Sequence, residues 1–144
     1  MNYLSFLPIA QAVASMSKDP STQVGAVLLD RDFNILATGF NGFPRGVPDL
    51  AEDYANREIK LSLVAHAEAN AIAQAARVGA RLLGSTMVVT ALHPCANCAK
   101  LIIQSGIRRV YAPHSKPLSK WNNEENTATY MFSKAGIEVI RYEL

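Results

Sequence analysis

His66-Ala67-Glu68-Ala69-Asn70-Ala71-Ile72 and Pro94-Cys95-Ala96-Asn97-Cys98 are the stretches that decide how this chain is read. Zn²⁺ accepts both imidazole nitrogen and thiolate sulfur. Three ligands, His66, Cys95 and Cys98, leave a fourth tetrahedral position to water, the mark of a catalytic ion. A structural site needs a fourth protein ligand. His93 and His114 are the other histidines. His93, two residues from Cys95, is an awkward ligand that fits better under a strand end or at a pocket mouth. A redox C-x-x-C is the other reading of the cysteine pair, and the upstream His66-x-Glu68 favours zinc over it. Glu68 is placed to reach bound water rather than the metal, as a proton carrier.

The motifs need helices around them. Residues 66–78 are Ala-rich and helical, with Gly79 as a cap. Pro94 suits the entry to a second helix over 95–104, ended by Gly106. Helix N-termini favour thiolates through their dipole and free N–H groups, so two such ends are expected to face one ion. Upstream, residues 3–16 have helical spacing and Asp19-Pro20 stops them. Residues 23–29 and 35–40 read as strands joined in a hairpin. A short polar helix is expected over 52–60. Strands follow at 86–90, 109–112 and 137–141, with a helix over 124–135 before Gly136. This order predicts a mixed five-stranded sheet covered by helices on both faces.

The chain has 144 residues, 49% of them hydrophobic and 18% charged, with a net charge of +2. That fits one domain, 1–144, with one real core. The charge is too weak and dispersed for a nucleic-acid surface, so no nucleic-acid partner is expected. No apolar run approaches the roughly 20 residues of a membrane helix, so no membrane is expected. Met1-Asn2-Tyr3-Leu4 has no signal-peptide pattern, and a cytoplasmic location is the expectation.

Four blocks now carry a family resemblance. They are Ser17-Lys18-Asp19-Pro20-Ser21-Thr22-Gln23-Val24-Gly25-Ala26-Val27, Thr38-Gly39-Phe40-Asn41-Gly42-Phe43-Pro44-Arg45-Gly46, the segment from His66 to Ile72, and Pro94 through Ile107. Over residues 10 to 112 the chain resembles the deoxycytidylate (dCMP) deaminases of the cytidine deaminase superfamily. H-x-E with P-C-x-x-C is the signature of zinc nucleobase deaminases. The resemblance implies a three-layer α/β/α cytidine-deaminase-like fold. It also implies zinc-dependent hydrolysis of dCMP to dUMP and ammonia, a supply of thymidylate precursor.

Residue by residue, the resemblance gives His66, Cys95 and Cys98 one catalytic zinc and makes Glu68 the proton shuttle. Asn41 corresponds to the residue that binds the sugar, the Ala67 N–H to the donor for the pyrimidine carbonyl, and Val24 to a packing surface for the base. Ser21 and Thr22 lie near the sugar and phosphate. Family members form oligomers, often hexamers, and a hexamer or dimer is expected. Many take dCTP and dTTP as effectors, partly through the loop that holds Gly42 and Arg45. Plainer readings stand beside these. Asn41-Gly42 is also an ordinary turn, Val24 an ordinary core residue, and Ser21 and Thr22 ordinary turn formers. Arg77 serves either a subunit interface or the charge balance of a helix C-terminus.

One region departs from the family. After Tyr111 it commonly has an acidic-Lys-aromatic stretch, where this chain has Pro113-His114-Ser115-Lys116-Pro117-Leu118-Ser119-Lys120-Trp121. Lys116 and Lys120 are candidate phosphate contacts, and Trp121 either stacks on a base or anchors the loop. The loop leaves open another pyrimidine nucleotide or nucleoside, including 5-substituted dCMP. A nucleic-acid base deaminase and a non-catalytic nucleotide sensor are the further alternatives. No second zinc is expected, since residues 47–65 hold no Cys or His.

Overall fold

The computed structural model describes residues 1–115 and 119–143. Its first helix is shorter than 3–16. A 3₁₀ turn spans Tyr3–Phe6, and α1 is Leu7–Ala14. Pro8 has no N–H to give, so it sits in the first turn of an α-helix and not inside one. Asn2 caps the turn before it, its side chain accepting the Leu4 N–H at 2.8 Å.

Strands β1 (Gly25–Leu29) and β2 (Ile35–Phe40) form the expected hairpin. The Asp30 carboxylate shapes its turn by accepting the Asp32 and Asn34 N–H groups, each at 2.9 Å. The single helix expected over 52–60 is two, α2 (Ala51–Ala55) and α3 (Arg57–Leu63). Asn56 makes the break. It ends α2 and caps α3, its side chain accepting the Ile59 N–H at 3.2 Å. The remaining elements are α4 (Ala67–Val78), β3 (Thr86–Val89), α5 (Ala96–Gln104), β4 (Arg109–Pro113), α6 (Asn122–Ala135) and β5 (Glu138–Tyr142). Gly79 closes α4 at φ +76°, the left-handed conformation a glycine takes without strain.

The sheet order is β2-β1-β3-β4-β5. β1 runs antiparallel to both neighbours, and β3, β4 and β5 are parallel. This is the mixed five-stranded sheet the sequence predicts. β1 is buried on both faces, which is why it reads as an unbroken apolar run. Ala26 and Leu28 join the core under α4, α5 and α6, while Val27 and Leu29 join a smaller core under α1. The result is three layers, α1 on one face and α4–α6 on the other. No helix among the described residues is long and apolar enough to cross a membrane.

Two glycines set how closely the layers meet. A Cβ on Gly25 would lie 2.2 Å from the Ala10 carbonyl oxygen of α1, and one on Gly39 would lie 2.3 Å from the Ala71 nitrogen of α4. α4 therefore rests on β2 backbone to backbone. β2, β3 and β4 all end at one edge of the sheet, where β1 begins. The segments after them, and the loop before β1, converge there.

Candidate active site

Two helix starts meet at that edge. His66 is the N-cap of α4 and Cys95 the N-cap of α5. His66 Nδ1 lies 3.4 Å from Cys95 Sγ and 3.4 Å from Cys98 Sγ. Cys95 and Cys98 are buried, and their sulfurs lie with the imidazole donor atom within 4.8 Å of one another. A tetrahedral ion with Zn–N and Zn–S bonds of 2.0–2.3 Å separates its donors by about 3.6 Å. One nitrogen and two sulfurs at this spacing fit zinc. Among the described residues, these three form the only group of His, Cys, Asp and Glu that can close on an ion.

Protons are shared tightly here. Cys95 is shifted toward thiolate, first by its hydrogen bond with Cys98, then by the His66 imidazole and the Cys98 N–H. Cys98 is shifted the other way by the same bond and by burial. The contact with Cys95 raises the pKa of His66 despite burial.

Glu68 stands in the first turn of α4, only 5% exposed. Burial pushes its carboxyl up to about 7. A carboxyl at that value can both take and return a proton near neutral pH. His93 is fully buried, its ring centroid 6.0 Å from that of Phe132 of α6 in an edge-on packing. Its Nδ1 is 3.0 Å from the Pro94 carbonyl oxygen, and burial pushes the imidazole down to about 4. It packs under the strand end as a neutral ring and stands outside the donor cluster.

The loops around the cluster are braced. Gly42 and Ala65 exchange backbone hydrogen bonds at 3.1 and 2.8 Å, tying the end of β2 to the residue before His66. Asn41 is buried, and its amide makes three hydrogen bonds inside the protein. Oδ1 accepts the Val24 N–H at 2.9 Å, and Nδ2 donates to the Thr22 carbonyl at 2.9 Å and to Asp19 Oδ2 at 3.3 Å. Ser21 and Thr22 are exposed, and both N–H groups point to Asp19 Oδ1, at 2.8 and 3.3 Å. Val24 is buried, and Ala67 is fully buried at the first position of α4.

The sequence reading missed Asp19 as a hub. Its carboxylate also meets Lys60 Nζ at 2.8 Å, where the two side chains are 5% and 15% exposed. Asp-Pro signalled a turn, but nothing in the chain pointed from Asp19 to α3. Glu124 was missed for the same reason: its Oε2 accepts the Ala96 N–H at 2.9 Å from across the site.

Arg45 lies elsewhere. Its guanidinium donates to Gln74 Oε1 at 2.9 Å, and it lines a groove of about 690 Å³ with Phe40, Phe43, Asn70 and Arg77 on the outer face of α4. Gly42 borders both the groove and the bridge to Ala65. Lys120 is exposed beside Trp121, and Lys116 falls outside the described residues. The Trp121 ring is 6.4 Å from the His66 ring, and its Nε1–H donates to the His93 carbonyl at 2.7 Å.

The model of the cytidine and deoxycytidylate deaminase zinc-binding region matches residues 2–113. An uncharacterized deaminase of Aliivibrio fischeri is 48% identical over 93% of this chain and 88% of its own length. The deoxycytidylate deaminase of Mus musculus is 39% identical over 92% of this chain and 74% of its own. The crystal structure of the dCMP deaminase of cyanophage S-TIM5, in complex with dCMP and dUMP, superposes with a TM-score of 0.78 at 26% identity. That match covers 97% of this chain and 96% of the phage chain. The histidine and two cysteines gathered at the starts of α4 and α5 thus lie within a recognised zinc-binding region, and the chain belongs to the cytidine and deoxycytidylate deaminase family.

Proposed function

We propose that the chain is a zinc-dependent hydrolase that converts dCMP and water to dUMP and ammonia, supplying precursor for thymidylate synthesis. The observation that carries this reading is Glu68, a carboxyl only 5% exposed in the first turn of α4, two residues from His66 of a three-donor metal cluster. A structural zinc site has no use for such a group. The deaminase names of the relatives, and the dCMP and dUMP in the phage structure, support the choice of nucleotide.

His66, Cys95 and Cys98 would hold the ion, which would lower the pKa of water toward neutrality. Glu68 takes the proton that water loses and passes it to the ring nitrogen of the pyrimidine. As the water oxygen bonds to the amino-bearing carbon, Glu68 collects its second proton and delivers it to the amine; the carbon–nitrogen bond breaks, the carbonyl forms and ammonia leaves. The Ala67 N–H, at a helix start with no partner inside the helix, donates to the pyrimidine carbonyl. Val24 packs on the base. Asn41 keeps acceptor capacity on Oδ1 for a sugar hydroxyl while its bonds to Thr22 and Asp19 hold it in place. Ser21, Thr22 and Lys120 are exposed and are the candidate contacts for sugar and phosphate.

The single domain 1–144, a hexameric or dimeric assembly, and dCTP or dTTP as effectors at Gly42 and Arg45 belong to the same proposal. Two arginines, Arg45 and Arg77, on one groove suit an anionic effector. Reduced cysteines at the site suit a cytoplasmic setting.

Ammonia release over dCMP, dCTP, CMP, deoxycytidine and 5-substituted dCMP, with and without dCTP and dTTP, tests this directly. Turnover of dCMP above the others is expected. Turnover of deoxycytidine with none of dCMP would overturn it.

A further inference from the structure

We propose that the first turn of α6 is an outer brace of the metal centre, in which Trp121 and Glu124 position the His93-Pro94-Cys95-Ala96 segment and slow the loss of the ion. The inference rests on the zinc reading above and adds two positioning residues that act through the backbone of the metal loop.

The two side chains seize the backbone on either side of Cys95. Trp121 Nε1–H donates to the carbonyl of His93 at 2.7 Å, and Glu124 Oε2 accepts the N–H of Ala96 at 2.9 Å. The thiol of Cys95 thus hangs from a short stretch of chain pinned at both ends. Ala96 is the first residue of α5, and its N–H has no acceptor within its own helix. A carboxylate at that end is also favoured by the helix dipole. The Cys98 N–H is another such donor and points to Cys95 Sγ at 3.4 Å. Of the free N–H groups at the start of α5, one is thus taken by a metal ligand and one by a residue of another helix.

The brace has its own footing. Glu125, next to Glu124, is buried and paired with Arg141 of β5, and it accepts the Ser115 N–H at 3.3 Å. Arg141 Nη2 also donates to Thr129 of α6 at 2.8 Å. Phe132, two turns further along α6, packs against the His93 ring. Through Glu125, Arg141 and Thr129 the start of α6 is held to β5 by contacts outside the metal loop, so it can act on that loop as a fixed point. Residues that orient first ligands in this way typically change metal affinity 10- to 100-fold when removed (a range of about one to two decades).

A merely structural role would join α5 to α6 and show itself in folding. The two roles separate when metal release and stability are read together. Zinc-loaded wild type, Trp121→Phe, Glu124→Ala and Glu124→Gln would be mixed with excess chromogenic chelator and the release rate followed. The melting temperatures of the metal-free proteins would be recorded alongside. Trp121→Phe keeps an aromatic ring, a smaller one, and removes the N–H; Glu124→Gln keeps an acceptor oxygen. We expect release about ten-fold faster for Trp121→Phe and Glu124→Ala, near-wild-type release for Glu124→Gln, and matched metal-free melting temperatures. Wild-type release rates in both Trp121→Phe and Glu124→Ala would overturn the brace. So would faster release that only tracks a lower metal-free melting temperature. A wild type that binds no zinc would instead overturn the metal reading itself, and the brace with it. If Glu124→Ala does not fold, Trp121→Phe alone decides by the same criteria.

Discussion

The two sides of the metal cluster are built by different means. On the α4 side the closest contacts are backbone to backbone, with Asn70 bonding to Phe40 and Ala65 beside them: Gly39 lets α4 lie on β2, and Gly42 pairs with Ala65 just before His66. On the α5 side the contacts are long side chains, Trp121, Glu124, and the Glu125–Arg141 pair behind them. A backbone contact has no slack, so the first side should fail outright when a single methyl is added. A side-chain contact can be lost one bond at a time, so the second should weaken by steps.

The largest effect should come from the cluster where the sides meet. Glu68→Ala is expected to keep one zinc per chain and lose activity by about 10³-fold, the scale of general acid–base catalysis. Cys98→Ser should lose the metal. Metal analysis with the ammonia assay checks both. Retained zinc in Cys98→Ser, or lost zinc in Glu68→Ala, would mean the ligand set is wrong.

Next comes the backbone side. Gly39→Ala places a Cβ against the backbone of Ala71 and Ala67, and we expect a loss of about 3 kcal/mol in denaturant unfolding. A loss below about 0.5 kcal/mol would show that this side has slack after all.

A smaller change belongs to the Asp19 hub. Lys60→Met leaves a buried carboxylate without its cation, at a cost of about 2 kcal/mol at neutral pH. The pH dependence has a definite sign. Burial raises the pKa of Asp19, but the Lys60 ammonium and the Ser21 and Thr22 N–H groups outweigh it and hold it below its ordinary 3.8. The stability it contributes is therefore present above that value and lost as pH falls through the lower folded value. Unfolding measured from pH 2 to 6 should show a shallower acid limb in Lys60→Met than in wild type. The smallest effect is expected at Arg45, whose exposed guanidinium reaches only Gln74 among the described residues. Arg45→Ala should change stability by less than about 0.5 kcal/mol.

The same contrast explains what the sequence made legible. The α4 side is written in local signs: His66 before an Ala-rich helix and Gly79 after it. Strand β1 and the hairpin were legible because their apolar pattern and turn chemistry lie within a few residues. The α5 side depends on partners distant in the chain. Glu124 reads as an ordinary acidic residue in a first helical turn until the fold brings it to Ala96. Lys60 reads as a solvated lysine until α3 carries it to Asp19. Where the chain breaks a helix with one residue, as at Asn56, hydrophobic spacing alone runs straight through the break. Pro8 shows the converse, since its missing N–H shifts a helix start that periodicity placed too early.

Trp121 is the sole tryptophan of the chain, and its ring lies 6.4 Å from the ring of His66. The protein therefore carries a single built-in optical reporter, set beside its own metal cluster. Its emission comes from one point and needs no unmixing. A titration with metal or with nucleotide can be followed in the unlabelled native chain, and a change in colour or brightness refers to that one neighbourhood.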